Sequence, residues 1–261
     1  MRLATLADGR AVRVEGDALL PLPGRLADHL CRPPAEPTGA TIDASTATLA
    51  PPIARPGKLA CIGLNYRDHA AEAGQEIPSK PLLFAKFSSC VIGPGVPIEI
   101  PSGSTKVDYE AELAVVIGRP AYNVSESEAL NFVGGYACFN DVSERDIQKE
   151  DGQWLRAKSF NTFGPFGPYV MTPDEVPDPN DLSIRCRVNG DAVQDSSTAQ
   201  MIHRVPALVS FCSRAFPLEP GDIIATGTPA GVGLGSGVFL EPGDTVEVEI
   251  QGLGVLANPV V

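Results

Sequence analysis

Glycine and proline interrupt this chain so often that long helices have little room to form. Twenty-six glycines and 25 prolines are spread through 261 residues with no collagen-like period. Proline removes a backbone donor and glycine weakens element interiors, so both residues mark ends and turns. The pattern predicts many short elements and speaks against a helical bundle. Apolar residues at 43% and charged residues at 20% are ordinary globular usage, so the chain is long and apolar enough to bury a full core in one or two domains.

Residues 2–7, 10–14 and 18–22 read as three strands, separated by Asp8-Gly9 and Gly16-Asp17 turns, with a short helix over 24–30. The stretch from Cys31 to Gly57 carries Pro33, Pro34, Pro37, Pro51, Pro52 and Pro56. It divides a small N-terminal β domain with its linker, 1–57, from a main domain, 58–261. The main domain alternates predicted strands at 59–63, 82–86, 96–100, 107–118, 133–140, 182–189, 222–226 and 244–250 with helices at 66–73, 126–131, 143–149 and 204–215. Strands dominate. The glycines between Gly227 and Gly237 do not follow the dinucleotide-binding order after a strand.

Thirty-two acidic residues against 20 basic ones leave a net charge of −12. A surface that acidic repels phosphate, so nucleic acid and anionic membranes are poor partners. No apolar run approaches the roughly 20 residues of a membrane span, and the N-terminus lacks an apolar core of signal-peptide length. The six cysteines show no C-x-x-C spacing and mostly lie in apolar segments such as Ala60-Cys61-Ile62. Reduced, buried thiols in a cytoplasmic protein are the expectation.

The segment Val107-Asp108-Tyr109-Glu110-Ala111-Glu112-Leu113 runs on into Ala114-Val115-Val116-Ile117. Alternation along a strand puts Asp108, Glu110, Glu112, Ala114 and Val116 on one face. Carboxylates running into a buried face repel and lose hydration unless a cation compensates. Two readings stay open: a solvated strand end, or oxygen ligands for a cation. Asp141, at the end of the apolar strand Gly135–Phe139, is either an N-cap for the following helix or a third ligand. Two glutamates at i,i+2 with an aspartate form an all-oxygen set suited to Mg²⁺, Mn²⁺ or Ca²⁺.

Arg145, Gln148 and Lys158 follow this segment. They read either as solvated charge or as site groups; Lys158, flanked by Trp154, Phe160 and Phe163, is expected to be buried and paired. Of three histidines, His29 and His203 read as structural. His69 and Glu72 stand at i,i+3 and share a helix face. A carboxylate beside an imidazole fixes its tautomer and raises its basicity, as a general base needs; a surface helical pair is the other reading.

Tyr109-Glu110-Ala111-Glu112-Leu113, Asn140-Asp141-Val142-Ser143 and Thr226-Gly227-Thr228-Pro229-Ala230-Gly231, with the segments around 63–72, 153–168 and 189–201, resemble the fumarylacetoacetate hydrolase family over nearly all of 58–261. The resemblance implies an α+β, β-rich fold, a mixed β-sandwich roll, with a small N-terminal β domain, and a homodimer. It implies one Mg²⁺ or Mn²⁺ held by Glu110, Glu112 and Asp141, catalysis by His69, Glu72 and Lys158, and substrate contacts from Arg145, Gln148 and Thr226. The substrate class it implies is a short 2-oxo acid. The expected reaction is metal-dependent hydrolysis of a C–C bond in an acylpyruvate-type 2,4-dioxo acid through a stabilised enolate. Oxaloacetate decarboxylation and 2-hydroxyhepta-2,4-diene-1,7-dioate isomerisation are the alternatives on the same site. Ala157, Asn161 and the stretch Leu234–Phe239 depart from the family pattern and leave the substrate open.

Overall fold

A computed structural model describes residues 1–33 and 35–261; Pro34 of the predicted linker lies outside the described residues. The chain is β-rich with few helices, as expected. Its main sheet runs Ile42–Asp43, Ala18–Pro21, Ala11–Glu15, Arg2–Leu6, Gly164–Met171, Val133–Asn140, Ala111–Ile117, Ile223–Ala225, Leu59–Gly63, Leu82–Ala85. Neighbours along it are antiparallel except Ile223–Ala225 against Leu59–Gly63. A second, four-stranded antiparallel sheet runs Asp191–Ser197, Ser183–Val188, Thr245–Ile250, Gly254–Pro259. Side chains from both sheets, such as Leu113, Phe139, Ile184, Val248 and Leu256, meet in one large core. Packing sheet faces this way removes apolar area from water, the main favourable term in folding. Strands of the first 57 residues hold a smaller cluster of Ala4, Leu6, Val12 and Leu19 and join the main sheet through Arg2 and Leu3, opposite Met171 and Val170.

The helices are short: α1 (Arg67–Glu72), α2 (Arg145–Asp151), α3 (Leu155–Lys158), α4 (Val205–Ala215) and α5 (Gly233–Ser236). Among the described residues no helix is long and apolar enough to cross a membrane. Every cysteine is free, and all but Cys31 are buried. Burial pushes the Cys138 and Cys212 thiols up to about 12.

Several expected elements differ. Helices at 24–30 and 126–131 are single 3₁₀ turns, Leu26–His29 and Ala129–Phe132. The strand expected at 96–100 is reduced to a bridge between Ile98 and Val260. The strand expected at 107–118 divides into Val107–Asp108 and Ala111–Ile117. The division has a cause: side chains take the intervening backbone donors. Asp108 Oδ1 accepts from Tyr109 N at 2.8 Å, and Asn140 Oδ1 accepts from Glu110 N at 3.0 Å. Gly164–Met171, with two glycines and two prolines, is a strand the composition hides. The helix expected at 143–149 starts at Arg145, because Ser143–Glu144 pairs with Val107–Asp108. Its N-cap is Glu144, which accepts from Ile147 N at 2.6 Å, and not Asp141.

Candidate active site

Ala111–Ile117 lies between Val133–Asn140 and Ile223–Ala225, and all seven of its residues are buried. Sheet register therefore carries Glu112 and the preceding Glu110 inward, at 1% and 6% exposure. The solvated-strand-end reading is set aside by that burial. Asp141 follows directly on Asn140, which pairs with Ala111, so the partner strand delivers it to the same place. One carboxylate oxygen from each of Glu110, Glu112 and Asp141 lies within 4.8 Å of the others.

Cations surround this cluster. Lys158, at the end of α3, donates to Glu110 Oε2 at 2.9 Å, Asp141 Oδ2 at 2.7 Å and Ser143 Oγ at 2.7 Å. Its ammonium also sits 5.2 Å from the Phe84 ring centre. Lys86 donates to Asp141 Oδ1 at 2.5 Å and to the Val142 carbonyl at 3.1 Å. Arg145, the first residue of α2, reaches Asp108 Oδ2 and Glu110 Oε1, each at 2.7 Å, and donates to Gln148 Oε1 at 2.9 Å. Three fully buried cations thus face four buried carboxylates. Among the described residues Glu112 alone of these four makes no ion pair; it accepts a hydrogen bond from the Gly227 N–H at 2.9 Å.

The electrostatics follow. Burial pushes the Glu110 carboxyl up, but Lys158 and then Arg145 outweigh it and hold the group down at about 2. Burial, with Asp141 and Glu110 beside it, pushes Glu112 well up. Burial disfavours the Lys158 and Arg145 charges, yet the carboxylates Asp141, Glu110 and Asp108 raise both above their ordinary values. A hard divalent cation fits this donor set: three convergent carboxylates, one of which, Glu112, makes no direct ion pair among the described residues.

A cavity of about 570 Å³ opens onto the cluster, and its wall includes His69, Glu110, Glu112, Arg145, Gln148 and Lys158. His69 stands on α1, with Nδ1 3.2 Å from Glu72 Oε2. Glu72 lies behind the histidine rather than on the wall, and its other oxygen accepts from Gly231 N at 2.9 Å. Of the residues singled out in the sequence for substrate contact, Thr226 is not part of the cavity wall. It is fully buried after Ile223–Ala225, and Thr228 lines the cavity instead. Lys86 and Asp108 were not anticipated as site residues. Lys86 had a signal: it lies in Leu83-Phe84-Ala85-Lys86-Phe87, an apolar setting like that of Lys158. Asp108 shared the strand face of Glu110 and Glu112, but its partners at 145 and 233–234 are distant in sequence, so its role in joining them was not readable there.

A family model described as fumarylacetoacetate (FAA) hydrolase C-terminal matches residues 58–261. Oxaloacetate tautomerase fahd2, mitochondrial, of Xenopus laevis is 49% identical over 221 residues, covering 83% of this chain and 69% of that protein. The crystal structure of 2-hydroxyhepta-2,4-diene-1,7-dioate isomerase from Mycobacterium marinum is 39% identical, covers 100% of this chain and 98% of its own, and superposes with a TM-score of 0.86. A fumarylacetoacetate hydrolase from Exiguobacterium antarcticum is 36% identical, with coverage of 100% and 99% and a TM-score of 0.88. With this match over most of its length, and with the expected sheet-rich fold, the chain belongs to the fumarylacetoacetate hydrolase family.

Proposed function

We propose that this protein is a divalent-cation-dependent enzyme that interconverts keto and enol forms of a short 2-oxo acid, with a dicarboxylate such as oxaloacetate as substrate. The observation that carries this reading is the meeting of three buried carboxylates, three buried cations and a histidine–carboxylate pair around one cavity. A tautomerase at 49% identity and an isomerase at 39% support keto–enol chemistry over bond cleavage. Glu110, Glu112 and Asp141 would hold Mg²⁺ or Mn²⁺. When bound, such an ion supplies Lewis-acid stabilisation of negative charge on the 2-oxo oxygen.

The remaining work falls to side chains. Arg145, oriented by Asp108 and Gln148, presents a guanidinium to a substrate carboxylate. Lys158 keeps a fixed positive charge at the cavity floor, where charge develops on the substrate. A carboxylate can only accept hydrogen bonds, so Glu72 holds the proton of His69 on Nδ1 and leaves Nε2 bare. Nε2 then takes the proton from the carbon next to the carbonyl, the C–H electron pair becomes the C=C bond, and the proton is delivered to the former carbonyl oxygen to give the enol; the reverse sequence restores the keto form. In a second reading, C–C hydrolysis of an acylpyruvate, the same nitrogen deprotonates water; the hydrolase relative at 36% identity favours keeping it. The homodimer and the cytoplasmic setting expected from the sequence belong to the same proposal.

The test compares enol-oxaloacetate decay, followed by ultraviolet absorbance, with pyruvate release from acetylpyruvate. Both are run after exhaustive chelation and after adding back Mg²⁺ or Mn²⁺. The expected result is metal-restored acceleration of the enol–keto conversion. Faster cleavage of acetylpyruvate would favour the hydrolytic reading. Undiminished turnover with no metal by elemental analysis would remove the metal from the proposal.

A further inference from the structure

Glu72 can orient His69 only if its own carboxylate is held, and the groups holding it come from a distant part of the chain. Oε2 faces His69 Nδ1, while Oε1 accepts from the Gly231 N–H. Just beyond, α5 passes so close that a Cβ built on Gly235 would lie 2.9 Å from both Cδ and Oε1 of Glu72. No real Cβ contact is that short, so any side chain at 235 would push the carboxylate away. Backbone strain does not explain a glycine here, since Gly235 lies inside α5, where alanine is the better helix former.

The position of α5 is itself fixed from the cavity floor. Asp108 accepts from Gly233 N at 2.7 Å and Leu234 N at 2.9 Å, and the same carboxylate binds Arg145 Nε at 2.7 Å. One buried aspartate therefore ties the start of α5 to the arginine of the cavity.

We propose that Gly235 is a positioning residue for Glu72. Its missing side chain leaves the space in which the Glu72 carboxylate turns toward His69, and Asp108 sets that space by anchoring α5. The consequence is that His69 Nε2 stays the bare nitrogen only while α5 sits where Asp108 holds it. The inference rests on His69 and Glu72 being the proton-transfer pair of the proposed reaction, and its test has a readout that needs no substrate.

The experiment is Gly235→Ala in the full chain. Position 235 is exposed and helical, so the variant is expected to fold with a melting temperature close to that of the parent. Imidazole ¹⁵N shifts report the tautomer, and only three histidines need assignment. The parent should show His69 protonated on Nδ1, and Gly235→Ala should show exchange between tautomers. With oxaloacetate, kcat should fall about 10- to 100-fold, below the full contribution of a general base. KM and Mg²⁺ affinity by calorimetry should stay within twofold. Adding Glu72→Asp, which shortens the displaced side chain, should cost much less in the Gly235→Ala background than alone. An unchanged His69 tautomer overturns the proposal, whatever happens to kcat. A changed tautomer in a protein that turns over no 2-oxo acid leaves the positioning role standing and removes the function proposed above.

Discussion

The floor and the wall of the cavity are built to different standards. On the floor, Glu110, Glu112 and Asp141 come from adjacent strands of the main sheet, and each cation there touches more than one acceptor. At the wall, His69, with Glu72 behind it, rides on a helix of six residues, and the two keep 17% and 26% side-chain exposure. Single hydrogen bonds hold them: one between the two side chains and one from Gly231. Buried charges left unpaired are expensive, whereas an exposed pair contributes little to stability. Damage to the floor should therefore reach the whole fold, and damage to the wall should reach only the chemistry.

The largest expected effect follows from removing a floor cation. Lys158→Met leaves Glu110 and Asp141, both buried, each with one partner fewer. Losing one member of a buried charge pair costs about 3–5 kcal/mol. Urea unfolding in the absence of divalent ions should register that loss, and Mg²⁺ should recover part of it by binding the folded state. Turnover should drop steeply as well. Unchanged stability would mean that the floor is held by packing and not by charge, and the contrast with the wall would fail.

His69→Ala should invert that pattern. A general base contributes about 10²–10⁴-fold, so kcat should fall by that order. Unfolding free energy should move by only about 0.5 kcal/mol, as for other surface substitutions. Loss of stability comparable to that in Lys158→Met would show that α1 is part of the structural core.

The smallest effect concerns acid. Glu110, held at about 2 by Lys158 and Arg145 in spite of burial, contributes stability that is complete above its ordinary carboxyl value. That stability is lost as the pH falls from there toward 2. Glu112, raised by burial and by Asp141 and Glu110, acts with the opposite sign. Its contribution is present below its ordinary value and is lost as the pH rises through its folded one. Glu112→Gln should therefore make the protein more stable at neutral pH without metal, and should steepen the acid loss from Glu110. Urea midpoints between pH 2.5 and 7 measure both limbs. Identical profiles would mean that the two carboxylates do not oppose each other.

Much of the floor was legible in the sequence, because strands have period two and charged residues there break an apolar run. Glu110 and Glu112 stand out against Leu113–Ile117, and Asp141 ends another apolar strand. What period could not supply is the break at Tyr109-Glu110, which depends on Asn140 and on the carboxylate of Asp108. Gly164–Met171 escaped notice for a related reason. Its glycines and prolines signal turns locally, yet sheet neighbours on either side supply the pairing that makes it a strand.

By itself the sequence determined the β-rich class, the short elements and the residue types of the site, since glycine, proline and alternation act over neighbouring positions. Tertiary structure decided which charges meet. Lys86 reaches Asp141 across 55 positions, Gly231 reaches Glu72 across 159, and Asp108 joins Arg145 to α5 across 37 and 125. Nothing local favours those pairs. They form because packed sheets bring the groups together away from water, where an unpaired charge is too costly to leave alone.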